Sequence, residues 1–198
     1  MGRYKAYFDE IWKIRAKKKP IGISLFGVIF DNSTPFTPGN MLKIAEGAEL
    51  GLQMLAQKGY DFLIISGQPP LRTKNLEIQD FDNILGSARD LIQKLGGQIK
   101  NAYYAPSTDK NDPYVKPNTG MFERAQNESQ IVWEGSYFIG VETADIKCAA
   151  KMKAIPVIIR SETNKDLKFK SFELTNNVKV QEYNNLVDFA SSVSSTYS

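Results

Sequence analysis

Five short apolar runs rich in β-branched and aromatic residues recur along the chain, with segments of helical spacing between them. This alternation limits the fold more than any other feature. The runs are residues 21–26, 60–66, 99–104, 136–141 and 155–159, each too short for a helix and too poor in charge for an exposed loop, so they read as buried strands. Between them, Met41, Ile44, Ala48, Leu52 and Leu55 keep helical spacing up to Gly59, and Phe81, Ile84, Leu85, Ala88, Leu91, Ile92 and Leu95 keep it up to Gly96 and Gly97. Two further helices are expected over 120–126 and 144–153. Strands that are apolar on both faces and joined by helices belong in a parallel sheet covered on each side. The expected fold is therefore α/β, a doubly wound, Rossmann-like and mainly parallel sheet with helices on both faces.

The chain has 198 residues, 42% of them hydrophobic, which is enough for one well-buried core and too few for two full domains. Residues 20–198 are read as the domain and residues 1–19 as an arm ahead of it. A net charge of +3 is far from the concentrated positive field of a dedicated nucleic-acid binder, so no specific nucleic acid is expected. No run approaches the roughly 20 apolar residues of a transmembrane helix. An intracellular protein is expected, with the basic arm leaving mitochondrial and cytoplasmic locations both open. One cysteine and no histidine exclude an internal disulfide, imidazole-activated nucleophiles and most zinc sites. Any catalysis has to run on carboxylates, lysine, tyrosine or serine.

In a doubly wound sheet, ligands bind at the carboxyl ends of the strands. Four segments fall there: Ser24-Leu25-Phe26-Gly27-Val28, Ser66-Gly67-Gln68, Lys116-Pro117-Asn118-Thr119-Gly120-Met121, and Gly140-Val141-Glu142-Thr143-Ala144-Asp145. In order and wording they resemble the four motifs of the haloacid dehalogenase (HAD) superfamily: Asp-x-Asp-Gly-Val, Thr-Asn-Gln, Lys-Pro-x-x-Gly-Met and Gly-Asp-x-x-x-Asp. The resemblance is closest to the histidinol-phosphate and heptose-bisphosphate phosphatases, with the polynucleotide 3'-phosphatases further off. It implies a HAD-like domain in which the first motif aspartate attacks phosphorus, the second transfers the leaving-group proton, and acids of the first and fourth motifs hold Mg²⁺. Here Ser24 stands at the nucleophile position, Phe26 at the proton-donor position and Val141 at a metal-ligand position. All three are degenerate, and the resemblance then implies a catalytically inactive pseudophosphatase, with no cofactor and no magnesium site. Glu142 and Asp145 are the remaining, weak metal candidates.

The retained positions have two readings each. Ser66 and Lys116 are candidates for a residual phosphate site that would take a phosphorylated small molecule; alternatively, Lys116-Pro117 only precedes a helix and Gly120 allows close packing. Asp145 is also explained as a favourable charge at a helix N-terminus, and Cys148 as a small helix residue facing the sheet. A rival register puts Asp31 at the strand end, which would make it the nucleophile of an active phosphatase; otherwise Asp31 forms a turn. The resemblance also implies, for the heptose branch, a zinc-binding Cys and His loop ahead of the Lys-Pro motif, yet residues 107–115 contain neither residue type.

In the arm, Tyr4, Tyr7, Phe8, Ile11 and Trp12 recur at helical spacing, with Arg3, Lys5, Lys13, Arg15 and Lys17 to Lys19 around them. Such an amphipathic segment either folds back over its own domain or docks against other protein subunits through its aromatic stripe. The expectation is the second: a structural or docking subunit of a larger assembly.

Overall fold

A computed structural model describes residues 20–33, 35–37, 42–69, 74–167 and 179–194. Its strands are β1 (Ile21–Ile23), β2 (Phe62–Ser66), β3 (Ile99–Tyr104), β4 (Tyr137–Gly140), β5 (Ile155–Ile159) and β6 (Gln181–Tyr183). They form one six-stranded sheet in the order β3-β2-β1-β4-β5-β6, and every pairing is parallel. The helices are α1 (Ala48–Gln57), α2 (Ile78–Lys94), α3 (Gly120–Ser129), α4 (Thr143–Lys151) and α5 (Leu186–Ser192). This is the doubly wound α/β, Rossmann-like arrangement: α1, α2 and α4 are the crossovers between the paired strands β1/β2, β2/β3 and β4/β5, α3 leads from β3 at the edge to β4, and α5 follows β6.

Alternation along the strands sorts the core into two layers. Phe62 and Ile64 of β2 and Ile139 of β4 face Leu52 and Leu55 of α1, Phe81, Ile84 and Ile92 of α2, and Phe189 of α5. Leu63, Ile65 and Phe138, one residue out of phase, face Met121, Phe122 and Ala125 of α3 and Cys148 and Ala149 of α4. Helices therefore cover both faces, and the central strands β1, β2, β4 and β5 are largely apolar because both of their faces are covered. Among the described residues, no helix is long and apolar enough to cross a membrane.

Three local differences from the sequence reading have physical causes. The first run ends as a strand at Ile23, because the chain then folds into a tight turn: the Ile29 and Phe30 amides both donate to the Leu25 carbonyl, at 3.1 and 2.9 Å. Gly27 sits in this turn at φ 82°, where a side chain is strained. The helical spacing expected from Met41 begins only at Ala48. Ile44 instead forms an antiparallel bridge with Phe30, a non-local pairing that local periodicity cannot report; Met41 lies outside the described residues. The sixth strand is half-buried and polar, Gln-Glu-Tyr, and carries no apolar run to signal it. The arm, with Tyr4, Tyr7, Phe8, Ile11 and Trp12, also lies outside the described residues.

Candidate functional site

The carboxyl ends of β1, β2 and β4 converge on a cleft of about 320 Å³ whose lining includes Ser24, Phe26, Ser66, Lys116, Val141 and Asp145. Ser24 directly follows β1, and its amide continues the strand pairing by donating to the Ile139 carbonyl at 2.9 Å. Its side chain is nearly buried, at 5% exposure. Phe26 is buried in an aromatic cluster, edge-on to Phe36 at 5.8 Å and to Phe81 at 6.4 Å between centroids. Phe81 in turn stacks on Tyr104 at 4.6 Å. Val141 packs against the Gly27 turn so closely that a Cβ at Gly27 would lie 2.8 Å from Val141 Cγ2. A hard divalent cation needs several anionic or carbonyl oxygens. This corner offers a neutral hydroxyl, an aromatic ring and an isopropyl group, so its side chains do not fit Mg²⁺. No group of three or more His, Cys, Asp or Glu residues suited to a metal ion occurs among the described residues.

Ser66, at the end of β2, is fully buried. Its Oγ accepts the Leu25 amide at 3.3 Å, tying the first turn to the neighbouring strand while still lining the cleft. Gln68 serves the scaffold as well. Its amide group donates to the Leu76 carbonyl at 2.9 Å and to the Pro106 carbonyl, and its oxygen accepts the Leu76 amide at 2.7 Å. The loops after β2 and β3 are thus clamped together.

Lys116 and Asp145 form a buried ion pair across the cleft floor, their side chains 9% and 2% exposed. Asp145 Oδ1 faces the ammonium, and Oδ2 accepts the Val141 and Glu142 amides at 2.9 and 3.0 Å. Gly140 makes room for this, since a Cβ there would lie 2.3 Å from Oδ2. Burial pulls the Lys116 pKa down, but the Asp145 and Glu142 carboxylates outweigh it and hold the ammonium above the ordinary lysine value. Asp145 thus spends both oxygens inside the protein, and Glu142 is the N-cap residue of α4. The sequence reading missed this pair because it treated Lys116 and Asp145 separately; Lys116 opens one motif segment and Asp145 closes the next, and their opposite charges were the available signal.

The loop ahead of Lys116 is built from turn chemistry. Asp109 and Asp112 accept the amides of Asn111 and Tyr114 at 2.9 and 2.8 Å. The Asn118 side-chain amide donates to the Lys110 and Asp112 carbonyls at 3.0 and 2.8 Å. α3 begins at Gly120, with Thr119 as its N-cap, rather than directly after Pro117.

Asp31 does not line this cleft. It belongs to a second one, with Asn32, Ser33, Lys43 and Arg160. There its carboxylate accepts the Ser33 amide and hydroxyl, each at 2.9 Å, and pairs with Lys43 at 3.1 Å. Burial opposes its ionisation, but these partners hold its pKa below the ordinary carboxylate range. β1 ends at Ile23, and the turn that follows places Asp31 in the second cleft. Cys148 is buried against the sheet, its thiol donating to the Asn118 carbonyl at 3.2 Å, and burial pushes its pKa up to about 12. A thiol held in that state is not a nucleophile at neutral pH.

This sheet order, with a tight turn after β1 and a lysine–aspartate pair below the strand ends, defines a HAD-like phosphatase fold. Residues 43–184 match the polynucleotide kinase 3 phosphatase family, and the chain belongs to that family. It is also 22% identical over 116 residues to D-glycero-beta-D-manno-heptose-1,7-bisphosphate 7-phosphatase of Pseudomonas putida, a match covering 58% of this chain and 66% of that enzyme. Among solved structures, D,D-heptose 1,7-bisphosphate phosphatase from B. bronchiseptica, complexed with magnesium and phosphate, superposes with a TM-score of 0.73 at 16% identity, covering 88% of this chain and 97% of that one. The enzyme of the same name from Burkholderia thailandensis gives 0.61 at 15% identity, covering 87% and 96%. At these identities the structural likeness speaks to the fold.

Proposed function

We propose that the protein is a pseudophosphatase, a catalytically inactive member of its family that acts as a structural or docking subunit of a larger protein assembly. The observation that carries this reading is the character of the cleft head. Ser24, Phe26 and Val141 line it where phosphoryl transfer through an aspartyl intermediate requires a nucleophilic carboxylate, a proton carrier and a metal ligand. Ser24 has no imidazole to activate it in a chain without histidine. Asp145, the nearby carboxylate, is already committed to Lys116 and two amides.

The direct test is hydrolysis of p-nitrophenyl phosphate with Mg²⁺, for which the expected rate is that of buffer alone. Ser24→Asp is expected to be equally silent, because Phe26 still carries no proton and Val141 still binds no ion. Turnover above background would overturn the reading, and its loss in Asp31→Asn would move the chemistry to the second cleft.

Docking through the arm rests on the aromatic stripe of Tyr4, Tyr7, Phe8, Ile11 and Trp12. Deleting residues 2–18 is expected to abolish copurification of partner subunits while leaving the thermal midpoint of the domain unchanged. Unfolding of the truncated domain with partner binding intact would show instead that the arm belongs to the core. A second reading, a regulatory module that binds a phosphorylated small molecule, draws on Ser66 and Lys116 lining one cleft.

A further inference from the structure

We infer that the second cleft, the one that holds Asp31, binds a small neutral molecule carrying a carboxamide or lactam edge, and that Asn32 is the group that pairs with this edge. The second cleft shares no lining residue with the one at the ends of β1, β2 and β4. Four segments build it: the turn after β1, residues 43–46, the end of β5 and the residues that follow β6. The first two are held together by backbone, since the Asp31 amide donates to the Lys43 carbonyl at 2.8 Å and the Ala45 amide to the Ile29 carbonyl at 2.9 Å. The enclosed volume of about 630 Å³ falls inside the range of about 300 to 1,000 Å³ that ligand pockets occupy.

Asn32 points to the ligand. Its side chain lines the cleft at 5% exposure, and its Nδ2 is buried with no hydrogen-bond partner among the described residues, an arrangement that folded proteins seldom leave unmatched. Oδ1 accepts the Thr163 hydroxyl at a long 3.4 Å and keeps a second lone pair. Nδ2 rests against Gly27, where a Cβ would lie 2.6 Å from it. A carboxamide turns easily about χ2, so the unmatched donor and the remaining lone pair reach a ligand together, as one planar edge.

The charges narrow the ligand class. Asp31, Glu46 and Glu162 stand against Lys43 and Arg160, one carboxylate in excess, and both cations are matched, Lys43 by Asp31 at 3.1 Å and Arg160 by Glu182 at 2.5 Å. An anion entering here would lose its hydration beside cations already paired. An ammonium group presents only donors and cannot satisfy Nδ2. A trans peptide group points its N–H and C=O in opposite directions, so it cannot meet both atoms of the Asn32 edge. A primary carboxamide or a lactam holds donor and acceptor side by side and can. Ile44, Ala45 and Ile159 supply apolar walls for a flat ring.

The test is an NMR titration of the full chain with nicotinamide and 2-pyridone, with N-methylacetamide and inorganic phosphate as controls, reading the side-chain NH₂ signals of Asn32 and the Ile44 amide. Expected are saturable shifts of these signals with at least one of the first two probes and with neither control. Asn32→Asp keeps Oδ1 and removes the Nδ2 donor, and is expected to weaken binding about tenfold. Glu46→Trp at the exposed rim leaves Asn32 unaltered but fills the opening, and is expected to abolish the shifts at an unchanged thermal midpoint. No saturable shift with nicotinamide or 2-pyridone, saturable binding of either control, or unchanged binding in either folded variant would overturn the inference. No readout here depends on phosphate ester hydrolysis, so this inference and the catalytically inactive reading of the other cleft fail separately.

Discussion

Asp145→Ala is expected to destabilise the protein by about 3–5 kcal/mol, the cost of leaving one partner of a buried ion pair unmatched. The loss goes beyond the Coulombic pair. Asp145 Oδ2 is also the acceptor for the Val141 and Glu142 amides, and alanine leaves both donors without that partner where β4 turns into α4. Lys116→Met, which removes the cation but keeps those two hydrogen bonds, is expected to cost less. The double variant Lys116→Met/Asp145→Ala is expected to be no worse than Asp145→Ala alone, because the stranded ammonium disappears with the mutation. The pH dependence has a definite sign. The Lys116 pKa is raised above the ordinary value of 10.5, so its contribution is fully present below that value and is lost as pH rises through the higher folded-state pKa. The gap between parent and Lys116→Met therefore stays constant from neutral pH toward 10.5 and narrows only above it. Urea denaturation followed by circular dichroism measures all of this, and a cost below about 1 kcal/mol for Asp145→Ala would show that the pair contributes no more than a surface salt bridge does.

Trp133→Ala should be comparably severe, at about 3–5 kcal/mol. Trp133 is among the largest fully buried side chains. Its ring lies 4.8 Å from Phe122 between centroids, and Phe122 lies 4.8 Å from Phe138. Its indole N–H donates to the Phe122 carbonyl at 2.9 Å. The same ring presses on β1, where a Cβ at Gly22 would lie 2.9 Å from Trp133 Cζ3 and 2.7 Å from Phe138 Cδ2. Removing it opens a cavity beneath the strand that leads to Ser24, so the cleft loosens with the core. Trp133→Phe keeps part of the ring but leaves the Phe122 carbonyl without its donor, and is expected to cost about 1–3 kcal/mol. If Trp133→Ala unfolded at the same urea concentration as the parent chain, α3 would be packed on the sheet by contacts other than this cluster.

Several parts of this architecture are visible in the sequence because they follow from local rules. The runs at 60–66 and 155–159 hold β2 and β5 because parallel strands buried on both faces are largely apolar, whereas β3 at the sheet edge is readable from its β-branched and aromatic residues although Lys100 and Asn101 are exposed. Gly96 follows α2 with φ 83°, as the helix-end signal requires. The motif segments lie at strand ends because doubly wound sheets bring those ends together. The family itself was also legible, since the Lys-Pro and Gly-x-x-x-x-Asp segments retain their order and spacing.

What the amino-acid sequence determined by itself was therefore the class of fold and the positions where a cleft forms. Only the tertiary structure decided what the surviving polar groups do. Ile44 left its helical pattern because a bridge to Phe30 formed across the turn. Asp31 was carried into a second cleft. Asp145, read along the chain as a weak metal candidate or a charge near a helix start, became the partner of Lys116. The physical reason is common to all three. Periodicity and turn chemistry act over a few residues and can be read along the chain, whereas an ion pair, a bridge or a shared cleft depends on distances between segments far apart in sequence, and those distances exist only once the sheet has brought its strand ends together.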